Sequence, residues 1–129
     1  MTAVTLPWPD PKLSPNARED RRAIAGIRKA QKDTAFWLAK KAGLSFPHLS
    51  EGLHVRVTFH PPDRRRRHLD NLLASVKSAL DGIALATGVD DHKWGLTIVR
   101  ADPVAGGSVI IECGYGGAFV PYRGQITCP

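Results

Sequence analysis

Residues 53–86 read LHVRVTFHPPDRRRRHLDNLLASVKSALDGIALA, and within them the period of the apolar residues changes. Leu53, Val55, Val57 and Phe59 alternate with His54, Arg56, Thr58 and His60, the two-residue repeat of a strand with one buried face. Beyond the polar stretch PPDRRRRH, Leu69, Leu72, Leu73, Val76, Leu80 and Ile83 recur every three or four residues. That spacing predicts an amphipathic helix from about Leu69 to Ala86, closed by Gly88. A strand feeding a helix through an arginine-rich connection is therefore the centre of the fold.

Working outward, TAVTLPWP near the N-terminus alternates until prolines stop it and reads as a short edge strand. Ser14 followed by Pro15 is a plausible helix start. From about Arg18 to Lys41 the residues Ile24, Ile27, Ala35, Leu38 and Ala42 keep helical spacing, ended by Gly43. On the C-terminal side, LTIVRA and SVIIEC read as two strands joined across DPVAGG in a hairpin. The tail, residues 114–129, has no assignable period. The expected fold is α+β: a single small domain over residues 1–129 with a mixed four-stranded sheet and two main helices.

At 129 residues the chain has room for one modest core, which a second copy would help to stabilise, so a homodimer is expected. No apolar run approaches the roughly 20 residues of a membrane span, and the N-terminus lacks a signal pattern, which together imply a cytoplasmic protein with no membrane partner. Cys113 and Cys128 have no disulfide or metal spacing, and Cys113 reads as a small core residue. Zinc is disfavoured because His48, His60 and His92 lack closely spaced partners. Trp8, Trp37 and Trp94 read as core or interface residues.

The net charge of +6 points to a polyanion, but its distribution narrows the reading. Residues 10–43 carry nine Lys or Arg against four acids, whereas residues 63–93 carry six against five. The run Arg64–Arg67 is thus almost neutralised by Asp63, Asp70, Asp81, Asp90 and Asp91. Acids repel phosphate, so acids among arginines suit a bound cation better than a plain phosphate-binding face. On a helical wheel Asp70, Ala74, Lys77 and Asp81 share one side, off the apolar stripe. Taken singly, each feature has a plainer reading: Asp70 as a helix cap, Asp90 and Asp91 as an exposed turn, Lys77 and the arginines as solvated charge.

The motifs LPWP, PDRRRRHLDNLL, SAL and VDD, in that order over residues 3–113, resemble the RusA-type Holliday junction resolvases. The resemblance implies a homodimeric, Mg²⁺-dependent endodeoxyribonuclease that cuts four-way DNA junctions by paired symmetric nicks. It implies Asp70 and Asp91 as catalytic carboxylates and metal ligands, and Arg64, Arg65, Arg66 and Arg67 as the DNA-binding run. Two positions depart from the family pattern. His68 stands where the family has an acid, and Ala74 where it has a helix lysine. As a third metal ligand, His68 offers nitrogen in place of a hard oxygen, so Mn²⁺ would suit the site better than Mg²⁺. Lys77, one turn beyond Ala74, is the candidate replacement lysine. The competing expectations are a catalytically impaired junction-binding protein and a general basic nucleic-acid binder.

Overall fold

The computed structural model describes residues 2–18, 20–46 and 52–115. Four strands, β1 (Thr2–Pro7), β2 (Leu53–His60), β3 (Trp94–Arg100) and β4 (Ser108–Tyr115), form one mixed sheet in the order β1-β4-β2-β3. Three helices, α1 (Arg21–Lys41), α2 (Leu69–Ser75) and α3 (Lys77–Thr87), accompany it. The α+β class and four-stranded mixed sheet agree with the sequence reading, as does β1 at an edge; three details differ.

The hairpin is the first. β3 does not pair with β4: β2 lies between them, parallel to β3 and antiparallel to β4. The connecting residues 101–107 instead pass the end of β2, where Ala101 N donates to Phe59 O and Val104 N to Pro61 O, both at 2.9 Å. Crossing two strand spacings needs only about 10 Å, which six or seven residues span with ease. The strand with the cleanest alternation thereby gains neighbours on both sides, and Leu53, Val55, Val57 and Phe59 are all fully buried.

The second difference is the break that divides the expected long helix at Val76, whose φ of −112° and ψ of 12° lie well off the helical pair of about −63° and −42°. No proline or glycine causes it. Ser75 Oγ donates back to Leu72 O at 2.7 Å, and an amide from α1 bridges the break: Gln31 Nε2 donates to Ser75 O at 3.0 Å, while Gln31 Oε1 accepts from Ala79 N at 3.1 Å. Ser75 O and Ala79 N are the two groups that an uninterrupted helix would join to each other. A side chain inserted into that ladder kinks it.

The helix α1 begins at Asp20, whose carboxylate accepts from Arg22 N, rather than at Ser14, which closes a single helical turn over Pro11–Leu13. It ends with Lys40 and Lys41 in the last turn, favourable against the helix dipole, and with Gly43 at φ +79°. Ala35 and Ala39 are its buried residues, and they let α1 approach α3 closely. At Gly82 the two backbones come close: an added Cβ would collide with Lys32 O and lie 3.1 Å from Phe36 N. Cys113 is buried in β4 as expected, and burial pushes its thiol up to about 12. The rest of the tail, residues 116–129, lies outside the described residues, as does His48.

Candidate active site

The arginine run folds as two unlike halves. Asp63 Oδ1 accepts from Arg65 N at 2.9 Å and from Arg67 Nη1 at 2.8 Å, closing a compact turn at the end of β2. Arg67 further donates to Asp63 O and Arg65 O, and its guanidinium lies 5.6 Å from the centre of the Trp8 ring. Its side chain is only 16% exposed. The hydrogen bond from Arg67, then that from the Arg65 N–H, holds the Asp63 carboxyl down at about 2. Asp63 therefore serves the turn, which answers why an acid adjoins the run. Arg64 and Arg66 are exposed and, among the described residues, have no hydrogen-bond or ion-pair partner; Arg65 is 81% exposed beside Asp63. Arg64, Arg65 and Arg66 are the outward cations, and Arg67 is a structural one.

The turn delivers the chain into α2, whose first residues point to two different clefts. His68 precedes the helix, makes no capping bond with its side chain, and lines a cleft of about 340 Å³ with Arg65, Arg66, Asn71 and Trp8. Asp70, in the first turn, lines another, of about 610 Å³, with Arg28, Gln31, Ala74, Lys77 and Asp81. The side of the wheel shared by Asp70, Ala74, Lys77 and Asp81 is thus one wall of a single cleft. Asp70 caps nothing, since residue 68 holds the capping position.

Lys77 is the hub of this cleft. Its ammonium donates to Asp81 Oδ1 at 2.7 Å and to Asp91 Oδ2 at 2.8 Å, drawing the single helical turn Asp91–Lys93 against α3. The hydrogen bond to Asp81, followed by that to Asp91, raises the Lys77 pKa above its ordinary value. Asp90 faces elsewhere: its carboxylate accepts from His92 N and pairs with His92 Nδ1 at 3.1 Å, which holds it at about 2. Asp63 and Asp90 are thus both engaged by other partners.

Asp70, Asp81 and Asp91 are hard oxygen donors of the kind that hold Mg²⁺. With Lys77 paired to two of them, the three do not form a metal shell as they stand. Among the described residues no three His, Cys, Asp or Glu side chains group closely enough to hold a metal ion, and Lys77 occupies two of the three carboxylates. The set His68, Asp70 and Asp91 is not brought together, because His68 lines a separate cleft from Asp70. What the structure does assemble is a lysine between two carboxylates, a third carboxylate on the same cleft wall, and an arginine loop across α2.

These features define a small basic α+β domain with a carboxylate–lysine cleft beside an outward arginine loop. The crossover junction endodeoxyribonuclease RusA of Shigella sonnei is 36% identical over 86 residues, covering 65% of this chain and 68% of its own length. That of Escherichia coli K12 is 35% identical over the same span. The chain belongs to the RusA family. An uncharacterized protein of Xylella fastidiosa is 39% identical over 97 residues; the chain spans 63% of that relative's length. No family model matches the chain. Among solved structures, the periplasmic domain of MotB superposes on 96% of this chain and 67% of its own, with a TM-score of 0.46 and 12% identity, too slight a likeness to carry an argument. No helix among the described residues is long and apolar enough to cross a membrane.

Sequence reasoning missed Gln31 and the pairing of Lys77 with Asp81 and Asp91. Asp81 was within reach of it, four residues along the same helix face. Asp91 and Gln31 are brought in by tertiary packing alone.

Proposed function

We propose that the chain is a structure-selective endodeoxyribonuclease that binds four-way DNA junctions and resolves them by paired symmetric nicks, acting as a homodimer. The observation that carries this reading is the placement of the outward arginines at one end of α2 and, along it, of a cleft lined by Asp70, Lys77 and Asp81 with Asp91 paired to Lys77, in a chain of the RusA family. Arg64, Arg65 and Arg66 would hold phosphates on either side of the cut, fixing register without reading bases. Asp70, Asp91 and Lys77 are the proposed catalytic groups. Paired cuts on opposing strands call for one such cleft in each subunit of a twofold dimer.

Mg²⁺ or Mn²⁺ is the proposed cofactor, held by Asp70 and Asp91, and it requires Lys77 to give up its present partners. That exchange is cheap. Lys77, Asp81 and Asp91 are 60%, 44% and 39% exposed, and exposed ion pairs contribute roughly 0–1 kcal/mol. Lys77→Met should therefore lower the half-saturating Mn²⁺ concentration several-fold in calorimetry without DNA. An unchanged titration would mean that the lysine does not compete for the metal position. A second reading, a junction-binding protein without cleavage, is favoured by the same lysine–carboxylate pairing if the pairing persists on DNA.

The reading separates binding from chemistry. Exchanging Arg64 and Arg66 together for alanine should weaken junction binding and reduce the slope of log affinity against log salt by about 2, close to 0.9 per lost phosphate contact. Gel-shift titrations between low and moderate salt measure this, and an unchanged slope would remove the arginines from the interface. The test of the whole proposal is incubation of the protein with a labelled mobile junction and with linear duplex, each in Mg²⁺ and in Mn²⁺. Nicking confined to the junction is expected.

A further inference from the structure

We propose that Gln31 is a positioning residue of the carboxylate cleft: its amide holds open the break between α2 and α3 and so sets where Asp70 stands with respect to Lys77, Asp81 and Asp91. The inference rests on the reading of that cleft as catalytic. In a straight helix Asp70 and Lys77 would stand about 10 Å apart along the axis, with their angular relation fixed by the helical repeat. The break at Val76 falls between them, so both relations depend on what holds the break open.

Inside the segment, Ser75 Oγ donates to Leu72 O at 2.7 Å and loosens the turn before the break; the groups on either side of it are bridged from α1. The apolar period of residues 69–83 runs through position 76 without interruption, which favours one continuous helix. Against that local preference, Gln31 offers a donor to Ser75 O and an acceptor to Ala79 N, satisfying both groups that the break separates. The primary amide does this with separate donor and acceptor atoms, whereas a carboxylate lacks the donor and a thioether lacks both the donor and a strong acceptor. Stability alone gives no reason for the arrangement. With an apolar residue at 31, Ser75 O and Ala79 N could bond to each other and leave nothing unpaired. Gln31 itself lines the cleft alongside Asp70 and Lys77, so the group that bridges the break stands at the site the break shapes.

Gln31→Met and Gln31→Glu in the full chain test the proposal. Backbone carbon shifts of residues 74–79 report whether the helix heals, thermal melts report folding, and junction affinity measured without divalent ions reports binding. Healing in Gln31→Met, with melting and affinity near those of wild type and a single-turnover cleavage rate lower by about tenfold or more, is the expected result. A folded Gln31→Met that cleaves at the wild-type rate would overturn it. If that variant does not fold, Gln31→Glu decides: it keeps the acceptor for Ala79 N and loses the donor to Ser75 O, so a folded Gln31→Glu with altered carbon shifts over 74–79 and cleavage lower by about tenfold is expected, and wild-type cleavage would overturn the proposal. A wild-type protein that binds junctions without cutting them would overturn the catalytic reading first, and this role for Gln31 with it.

Discussion

Gly82→Ala should destabilise the protein by about 3 kcal/mol, lowering its Tm by roughly 10 °C, although alanine is the better helix former. The added Cβ would collide with Lys32 O, and that carbonyl belongs to the backbone of α1 and cannot rotate away. The helices must separate, which opens the contact between Ala35 and Ala39 on one side and Ala79 and Ile83 on the other. Gly26→Ala supplies the opposite sign. Gly26 lies in α1 with nothing within 4 Å of the added atom, so the same substitution there should stabilise by up to about 1 kcal/mol through helix propensity alone. Two thermal melts decide the point, and a Gly82→Ala protein as stable as wild type would mean that α1 and α3 do not approach as described.

Asp70→Asn and Asp91→Asn should each reduce junction cleavage by about 100-fold or more, the scale on which single catalytic groups act, while leaving junction affinity equal or higher. The amide keeps the shape of the carboxylate and removes the charge that repels phosphate. The two variants differ in a further respect. Asp91→Asn also withdraws a charged partner from Lys77, so it should lower the Lys77 pKa, whereas Asp70→Asn leaves the pairs to Asp81 and Asp91 intact. Single-turnover cleavage and binding without metal separate the two effects. If both variants lost affinity in step with activity, the carboxylates would belong to the binding surface rather than to the chemistry.

The strands and α1 were legible in the sequence because each carries its own period, two residues in β2 and three to four in α1. The wall of the cleft was legible too, since Asp70, Ala74, Lys77 and Asp81 are placed by helical geometry within one stretch of chain. What escaped the sequence depends on partners far along it. The break at Val76 is bridged by Gln31, 44 residues before Ser75, and its local sign is a single serine whose hydroxyl bonds back to Leu72 O. The separation of β3 from β4 follows from the central place of β2, which a short connection between two apolar runs conceals. The inward turn of Arg67 depends on Asp63 and on the ring of Trp8, and four identical letters do not say which one folds inward. The family resemblance pointed to residue 68 as a metal-site position, yet His68 and Asp70 line different clefts, so spacing alone does not put both side chains at one ion.

The most direct measurement is single-turnover cleavage of a mobile four-way junction, each of its four strands labelled in turn, with linear duplex of the same sequence as control and Mg²⁺ or Mn²⁺ titrated from zero. The expected result is a pair of nicks at symmetric positions on opposing strands, absent without divalent ion, absent from the duplex, and lost in Asp70→Asn. Tight junction binding with no cleavage at any concentration of either metal would contradict it, as would equal nicking of junction and duplex.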